Sequence, residues 1–360
     1  MRSCYVSFTA PNRVVLAEEE RSPADLEPGE ALVRTQHSIV SSGTEGASFT
    51  DLVRQMPGWP PTGLEYPRRT GYGNLGEVVA IGDDVRNVAV GDRVLTFAQH
   101  AEYTIANVAR RGPAARAVDS PRAGQPFALH VPKELDGVRA VATRMAGVSI
   151  TGLRSSSVQP GDRVVVIGLG LVGNFAAQLF QLAGARVLGL DISERRLEAA
   201  RACKIRELLD SSGGDPVAAV RDWSGDGAGA EVVVEAIGRS ELVMQAVEMT
   251  RRHGETILLG SPRARVTADV TPMLTRLHMQ AIRMVGALEW TYPVPEASER
   301  ARFTIEANYK QILGWIRDER LIVDPLISHV LSPRDCQSAY DGLTQRRDEY
   351  TAVVFDWSKL

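Results

Sequence analysis

The sequence predicts an α/β protein in which a doubly wound parallel sheet is joined to a separate β-rich domain, and three observations carry that expectation. The rhythm of the chain changes: up to about Ala109 short alternating strands are separated by turn residues, whereas from Arg163 onward strands alternate with helical patterns. A glycine-rich turn stands between one of these strands and one of these helices. Finally, 360 residues are too many for one ordinary core and suit two domains.

In the first part, Ala31–Thr35 (ALVRT), Gly76–Ile81 (GEVVAI) and Arg93–Phe97 (RVLTF) read as strands, with turns at Pro28-Gly29 and Gly91-Asp92. Residues Arg110–Pro126 are basic and rich in Pro, Gly and Ala, the composition of an exposed excursion. Helical spacing returns over Gly137–Thr151. Arg163–Gly168 (RVVVIG) is an apolar run too short for a buried helix, and Val172–Leu182 then places Phe175, Leu179 and Leu182 on one helical face. Arg186–Asp191, Glu231–Gly238, Glu255–Gly260 and Ile282–Leu288 are further strands. The tail carries a helix (Ala307–Asp318), a strand near Leu326–Leu331, another helix and a last strand in TAVVFDW, and it is expected to return to the first domain. The expected division is 1–155 with 300–360 for the β-rich domain and 156–299 for the parallel sheet. No internal repeat is present.

Composition narrows the function classes. Apolar residues make up 44% and charged residues 24%, and 41 basic against 44 acidic side chains leave a formal charge of −3. No global field would draw the chain to nucleic acid or anionic lipid. No apolar run reaches the roughly 20 residues of a membrane span, and MRSCYVSFTAPNRVVL has no continuous signal-peptide core. The expectation is a cytoplasmic protein with neither nucleic-acid nor membrane partners. Cys4, Cys203 and Cys336 are far apart, which argues against a disulfide framework and against a four-cysteine zinc site.

The glycine-rich turn reads Gly168-Leu-Gly170-Leu171-Val172-Gly173. Gly168 permits a tight turn, Gly170 lets backbone approach a pyrophosphate, and Gly173 lets the helix pack against the sheet, so the amides at the helix start become an anion site. Asp191 ends the next strand, eighteen residues after Gly173. Its carboxylate can bond an adenosine ribose 2′-hydroxyl and would repel a 2′-phosphate. Arg195 and Arg196 follow and could accommodate a phosphate, although a solvated helix start is the plainer reading. The expected cofactor is NAD rather than NADP, held on a Rossmann segment from about Arg163 to Leu288.

With this order established, the chain resembles the medium-chain dehydrogenase/reductase superfamily, of which the alcohol dehydrogenases are members. The resemblance rests on Gly29–Thr35 (GEALVRT), Ser41–Glu45 (SSGTE), Gly76–Val94 (GEVVAIGDDVRNVAVGDRV), Ile150–Leu153 (ITGL), Ile167–Gly173 and Glu235–Gly238 (EAIG). It implies a GroES-like catalytic domain beside the Rossmann unit. It also implies that Thr151 contacts the nicotinamide and that Ile237, Gly238, Leu259, Gly260, Ser261 and Ala287 border it. The zinc-dependent members carry ligands where this chain has Ser42, Tyr72 and a residue near Gly147, and serine, tyrosine and glycine do not make the nitrogen and sulfur cage that zinc wants. The structural-zinc lobe is missing too, because GDRVLTFAQHAEYTIAN runs straight through. The resemblance therefore implies a zinc-less branch, with no metal expected.

Without a Lewis acid, side chains must manage the charge on the reacting oxygen. Thr44 keeps the family's hydroxyl position, and Ala47 stands at the relay-histidine position. The expected catalytic candidates are Thr44, Tyr72, His100 and Glu45, with Ser42, Trp59, Phe97 and Trp290 around the substrate. Each has a plainer reading: Glu45 as a supporting residue, His100 as a loop histidine, the tryptophans as core. The expected function is zinc-independent, NAD-dependent hydride transfer to or from a secondary alcohol or ketone such as a sugar, polyol or biosynthetic intermediate. The alternatives are a zinc-free quinone or enoyl reductase and a dinucleotide-binding protein without turnover. A homodimer is expected through the sheet edge at Ile282–Leu288.

Overall fold

The computed structural model describes residues 1–56, 65–109, 127–263, 265–294 and 301–360. Trp59 and the excursion Arg110–Pro126 lie outside the described residues. The chain divides into two units: Met1–Arg144 with Trp290–Asp318 and Ile327–Leu360, and Met145–Glu289 with Glu319–Leu326.

The second unit holds six parallel strands, labelled here in chain order: β1 Arg163–Ile167, β2 Arg186–Asp191, β3 Glu207–Asp210, β4 Ala230–Glu235, β5 Thr250–Leu258 and β6 Arg283–Gly286. Their order across the sheet is β3-β2-β1-β4-β5-β6. The apolar runs follow from burial on both faces. Val164 and Val166 pack in one cluster with Ala176, Ala177 and Phe180 of the helix Leu171–Leu182. Val165 and Ile167 pack in another with Val217 and Val220 of Pro216–Ser224 and with Ala246 and Met249 of Ser240–Met249. A doubly wound sheet of this order reverses direction between β1 and β4, and ligands bind beyond the carboxyl ends of its strands at that point.

The unit boundary lies upstream of residue 155. Most of the helix Thr143–Ser155 and the segment Glu319–Leu326 belong with the parallel sheet. Hydrogen bonds account for this: Ser149 Oγ donates to the Val172 carbonyl at 2.9 Å, and Gln178 exchanges bonds with the Ile322 backbone at 2.8 and 3.0 Å.

The first unit contains a sheet ordered His329–Leu331, Val353–Asp356, Glu30–Ile39, Asn74–Ile81, Arg93–Thr96 and Leu129–His130, with Tyr103–Asn107 paired to Glu30–Ile39. A smaller sheet joins Arg13–Glu20, Arg2–Ala10 and Arg68–Arg69. The tail enters the first unit because Val353–Asp356 pairs antiparallel with Glu30–Ile39, burying Val353 and Phe355 against Phe8, Phe49 and Tyr340. Among the described residues no helix is long and apolar enough to cross a membrane.

Candidate active site

In the parallel-sheet unit, the turn after β1 is built by close approach. Gly168 has φ +91°, and a Cβ at Gly173 would collide with the Gly168 carbonyl oxygen, so the helix can start here only if position 173 lacks a side chain. Gly170 caps the helix without a side-chain hydrogen bond, and a Cβ there would meet nothing within 4 Å. Asp191 is 4% exposed. One carboxylate oxygen accepts from Leu169 N at 2.7 Å and the other from Ser193 N at 3.0 Å, while Arg196 Nη1 stands 3.5 Å away.

The turns after β4 and β5 meet beside this cradle. Ile237 lies against Gly168, Gly238 against Ser261, and Gly260 against the Gly238 amide. Leu259 and Ala287 are buried, and Ala287 N donates to the Leu258 carbonyl at 2.9 Å. Thr151 Oγ1 donates to the Val148 carbonyl at 2.6 Å and reaches the Ala287 carbonyl at 3.4 Å. Ile237, Gly238, Leu259, Gly260, Ser261 and Ala287 thus follow the carboxyl ends of neighbouring strands, with Thr151 of the helix Thr143–Ser155 beside Ala287. An open helix start, a glycine approach and a carboxylate at the end of β2 fit a dinucleotide. Sequence reasoning missed Glu235, which is fully buried and binds the amides of Ile237 and Gly238 at 2.9 Å. Burial pushes its carboxyl up, against those amides. Its place in EAIG, at a strand end, was the available signal.

In the first unit, Glu45 lies on the helix Ser42–Phe49 and is 3% exposed. One oxygen accepts from Ser41 N at 2.8 Å. The other receives Thr70 Oγ1 and the Tyr340 hydroxyl at 2.6 Å each, and His100 Nε2 lies 3.1 Å from it. Burial alone would raise the Glu45 carboxyl, but the His100 charge and the bonds from His100, Thr70 and Tyr340 hold it below the ordinary carboxylate range. Burial and then the Glu45 charge push the Tyr340 phenol well up, so it stays a donor. His100 is 0% exposed, with its second ring nitrogen 2.8 Å from Ser38 Oγ and its ring edge-on to Phe355. That position gives it no open face for a substrate, which argues against the direct catalytic role expected for His100. The loop passes inward because a Cβ at Gly71, where φ is +97°, would lie 2.6 Å from His100 N.

Tyr72 is half-buried, and its hydroxyl donates to Ser41 Oγ. Thr44 is half-buried and Ser42 exposed on the helix that carries Glu45. Phe97 stacks on Phe127 at 4.1 Å and meets Trp290 and Tyr309 edge-on. Arg144 was not anticipated: it lies over Tyr72, Phe97 and Trp290. An arginine inside the small, apolar helical run RAVATRMAGVSI was the available signal.

Zinc fits poorly. The ligand positions hold the exposed Ser42, the Ser41-bound Tyr72 and Gly147 within a helix, and among the described residues no group of three His, Cys, Asp or Glu side chains is placed to hold a metal ion.

A Rossmann sheet with an open glycine cradle, accompanied by a separate β-sheet unit, defines a protein of the two-domain dehydrogenase architecture. A model of the zinc-binding dehydrogenase family matches residues 172–300. The D-guloside 3-dehydrogenase of Shigella flexneri is 26% identical over 352 residues, covering 92% of this chain and 95% of that protein. Among solved structures, galactitol-1-phosphate dehydrogenase from Escherichia coli superposes with a TM-score of 0.77 at 17% identity, over 98% of this chain and 99% of that one. A quinone oxidoreductase of Pseudomonas syringae pv. Tomato DC3000 does so at 0.74 and 18%, with the same coverage. Residues 172–300 thus match the zinc-binding dehydrogenase family, and nearly the whole chain is similar to medium-chain dehydrogenases/reductases.

Proposed function

We propose that this protein is a zinc-independent, NAD-dependent dehydrogenase that interconverts a secondary alcohol and its ketone, with a pyranoside as the substrate class. The observation that carries the reading is the glycine cradle of Gly168, Gly170 and Gly173, closed by the buried Asp191 carboxylate at the end of β2. The amides of Leu171 and Val172 would hold the pyrophosphate and Asp191 the ribose, and the negative charge of Asp191 disfavours a 2′-phosphate. Thr151, Ile237, Gly238, Leu259, Gly260, Ser261 and Ala287 would shape the nicotinamide end, and Arg196 would steady Asp191. When bound, the nicotinamide takes up or gives the hydride.

The chain must then move one proton at the reacting oxygen. In alcohol oxidation the carbinol C–H bond breaks as hydride, and the O–H proton passes to a protein hydroxyl oxygen that gives up its own proton along a hydrogen bond toward solvent. Tyr72 and Thr44 are half-buried residues that carry hydroxyl groups, and Tyr72 already has Ser41 as a hydrogen-bond partner. Glu45 and His100 would support them by fixing the Ser41 backbone. A pyranoside is favoured by the similarity to a D-guloside 3-dehydrogenase.

The test is nucleotide reduction or oxidation with NAD and NADP, a panel of methyl D-pyranosides including methyl D-guloside, and simple quinones. Turnover of a pyranoside with NAD, unaffected by chelators and with well under one zinc per chain, is expected. Reduction of quinones with NADPH alone would select the reductase reading, and tight dinucleotide binding without turnover would select the non-catalytic one. Asp191→Ala should weaken NAD binding by roughly 1.5–3 kcal/mol.

A further inference from the structure

The most unusual side chain in the first unit is Arg144. It is 1% exposed. Its guanidinium carbon lies 4.5 Å from the centroid of the Tyr72 ring, 5.0 Å from Phe97, 5.5 Å from Trp290 and 5.9 Å from Tyr309. Nε donates to the Tyr72 carbonyl at 2.9 Å, and Nη1 donates to the Tyr309 hydroxyl. The neighbouring backbone is shaped around the stem: a Cβ at Gly73 would lie 2.6 Å from Arg144 Cγ. Gly71 is narrowed on the other side against His100. Tyr72 is thus carried on a short segment held between the buried Glu45–His100 cluster and a buried cation.

Burying a guanidinium is unfavourable, and a methionine would fill such a volume without that penalty. We propose that Arg144 is a positioning residue for proton transfer at Tyr72. It holds the phenol against Ser41 through the Tyr72 carbonyl and ring, and its positive charge offsets the negative charge left on the phenol oxygen. This rests on the alcohol–ketone reading given above. In ketone reduction, the carbonyl carbon receives its hydride while the Tyr72 O–H bond breaks and a new O–H bond forms on the product oxygen. The phenolate faces the guanidinium across its own ring until water returns a proton through the Ser41 hydroxyl. In alcohol oxidation the same steps run in reverse. A fixed cation then does by electrostatics part of what a Lewis acid does elsewhere.

The experiment is a double-mutant cycle with a structural readout. Arg144→Met, Arg144→Lys, Tyr72→Phe and the combinations are assayed with methyl D-guloside and NAD, and Arg144→Met is crystallised. Arg144→Met should lower kcat roughly 10²-fold with the KM for NAD within about twofold, and Arg144→Lys should recover about tenfold of that loss. In the Tyr72→Phe background, Arg144→Met should cost nothing further, because the group it serves is already gone. In the crystal, the Tyr72 hydroxyl should have left Ser41 Oγ. Equal losses in both backgrounds, or a Tyr72 that stays bonded to Ser41 in Arg144→Met, would overturn the inference. If wild-type protein turns over no alcohol or ketone, the functional reading fails while the crystal structure still decides the positioning. Should Arg144→Met fail to fold, the cycle and the crystal are run on Arg144→Lys, where an unchanged kcat and an unmoved Tyr72 overturn the proposal.

Discussion

At the scale of single residues, Glu45 shows how a side chain can matter to a site without facing a substrate. It receives four donors while 3% exposed, so its charge is solvated by the protein alone. Glu45→Gln keeps the volume but removes the charge and one acceptor oxygen from a site where a backbone amide, two hydroxyls and a histidine nitrogen converge. The expected cost is about 3–5 kcal/mol, read from urea denaturation midpoints. The sign of the pH dependence follows from the depressed carboxyl. Its stabilisation is complete above the ordinary carboxylate range near pH 4.3 and is lost as pH falls below it. Wild-type stability should drop across that window, and the variant should show a shallower slope; parallel slopes would remove Glu45 from this role. His100→Ala should likewise lower stability more than it lowers the affinity for NAD. Ser42, Thr44, Glu45 and Tyr72 were legible as a group from SSGTE and Gly71-Tyr72-Gly73. The burial of His100 was not, because the direction of a loop side chain depends on Gly71 and Phe355, which are remote from it in sequence or pattern.

At the scale of elements, the strand–turn–helix around Gly168–Gly173 was readable because both faces of β1 are buried, which forces a continuous apolar run, and because the turn tolerates only glycine at its close approaches. The short β3, Glu207–Asp210, escaped notice: four residues with intermediate to exposed side chains carry no period to detect. Gly173→Ala should abolish measurable dinucleotide binding by calorimetry, since its methyl would displace the Gly168 carbonyl and with it the helix start. Normal binding would mean that the cradle is not where the cofactor docks. Between neighbouring strands, Arg163 at the start of β1 grips Glu231 on β4 with Nε and Nη2 at 3.1 and 3.0 Å, and Arg251 adds a third contact. Burial would raise the Glu231 carboxyl, but its bonds to Arg163 and Arg251 bring it to about 2. The stabilisation is therefore present above about pH 4.3 and fades as pH falls toward 2. Glu231→Gln should flatten that part of the acid-unfolding profile, and an unchanged profile would show that the pair contributes nothing there.

At the scale of the whole molecule, the change from period-two strands to alternating strands and helices announced two units, but their discontinuous boundary was not legible. The helix Thr143–Ser155 has no break in pattern where the units meet, and Glu319–Leu326 joins the parallel sheet through the Gln178 bonds, which no local signal announces. The sheet edge does carry a signal. β6 ends the strand order and pairs with β5, and Met284 and Leu288 beside it are 40% and 53% exposed. The helix Thr271–Met279 contributes Leu274 and Met279, which are 53% and 64% exposed, and buries none of its residues. Among the described residues no strand pairs with the outer edge of β6, and a sheet edge flanked by exposed apolar side chains is a liability for a lone chain because it invites pairing. A second copy related by a two-fold axis would pair β6 with β6 antiparallel and cover these side chains in one self-complementary contact. We therefore expect sedimentation to give twice the chain mass. Met284→Glu with Leu288→Glu, both at exposed positions, should yield a folded monomer with an unchanged far-ultraviolet circular dichroism spectrum. A wild-type mass of one chain at every concentration would sink the dimer, and a doubly charged variant that stays dimeric would move its interface away from β6.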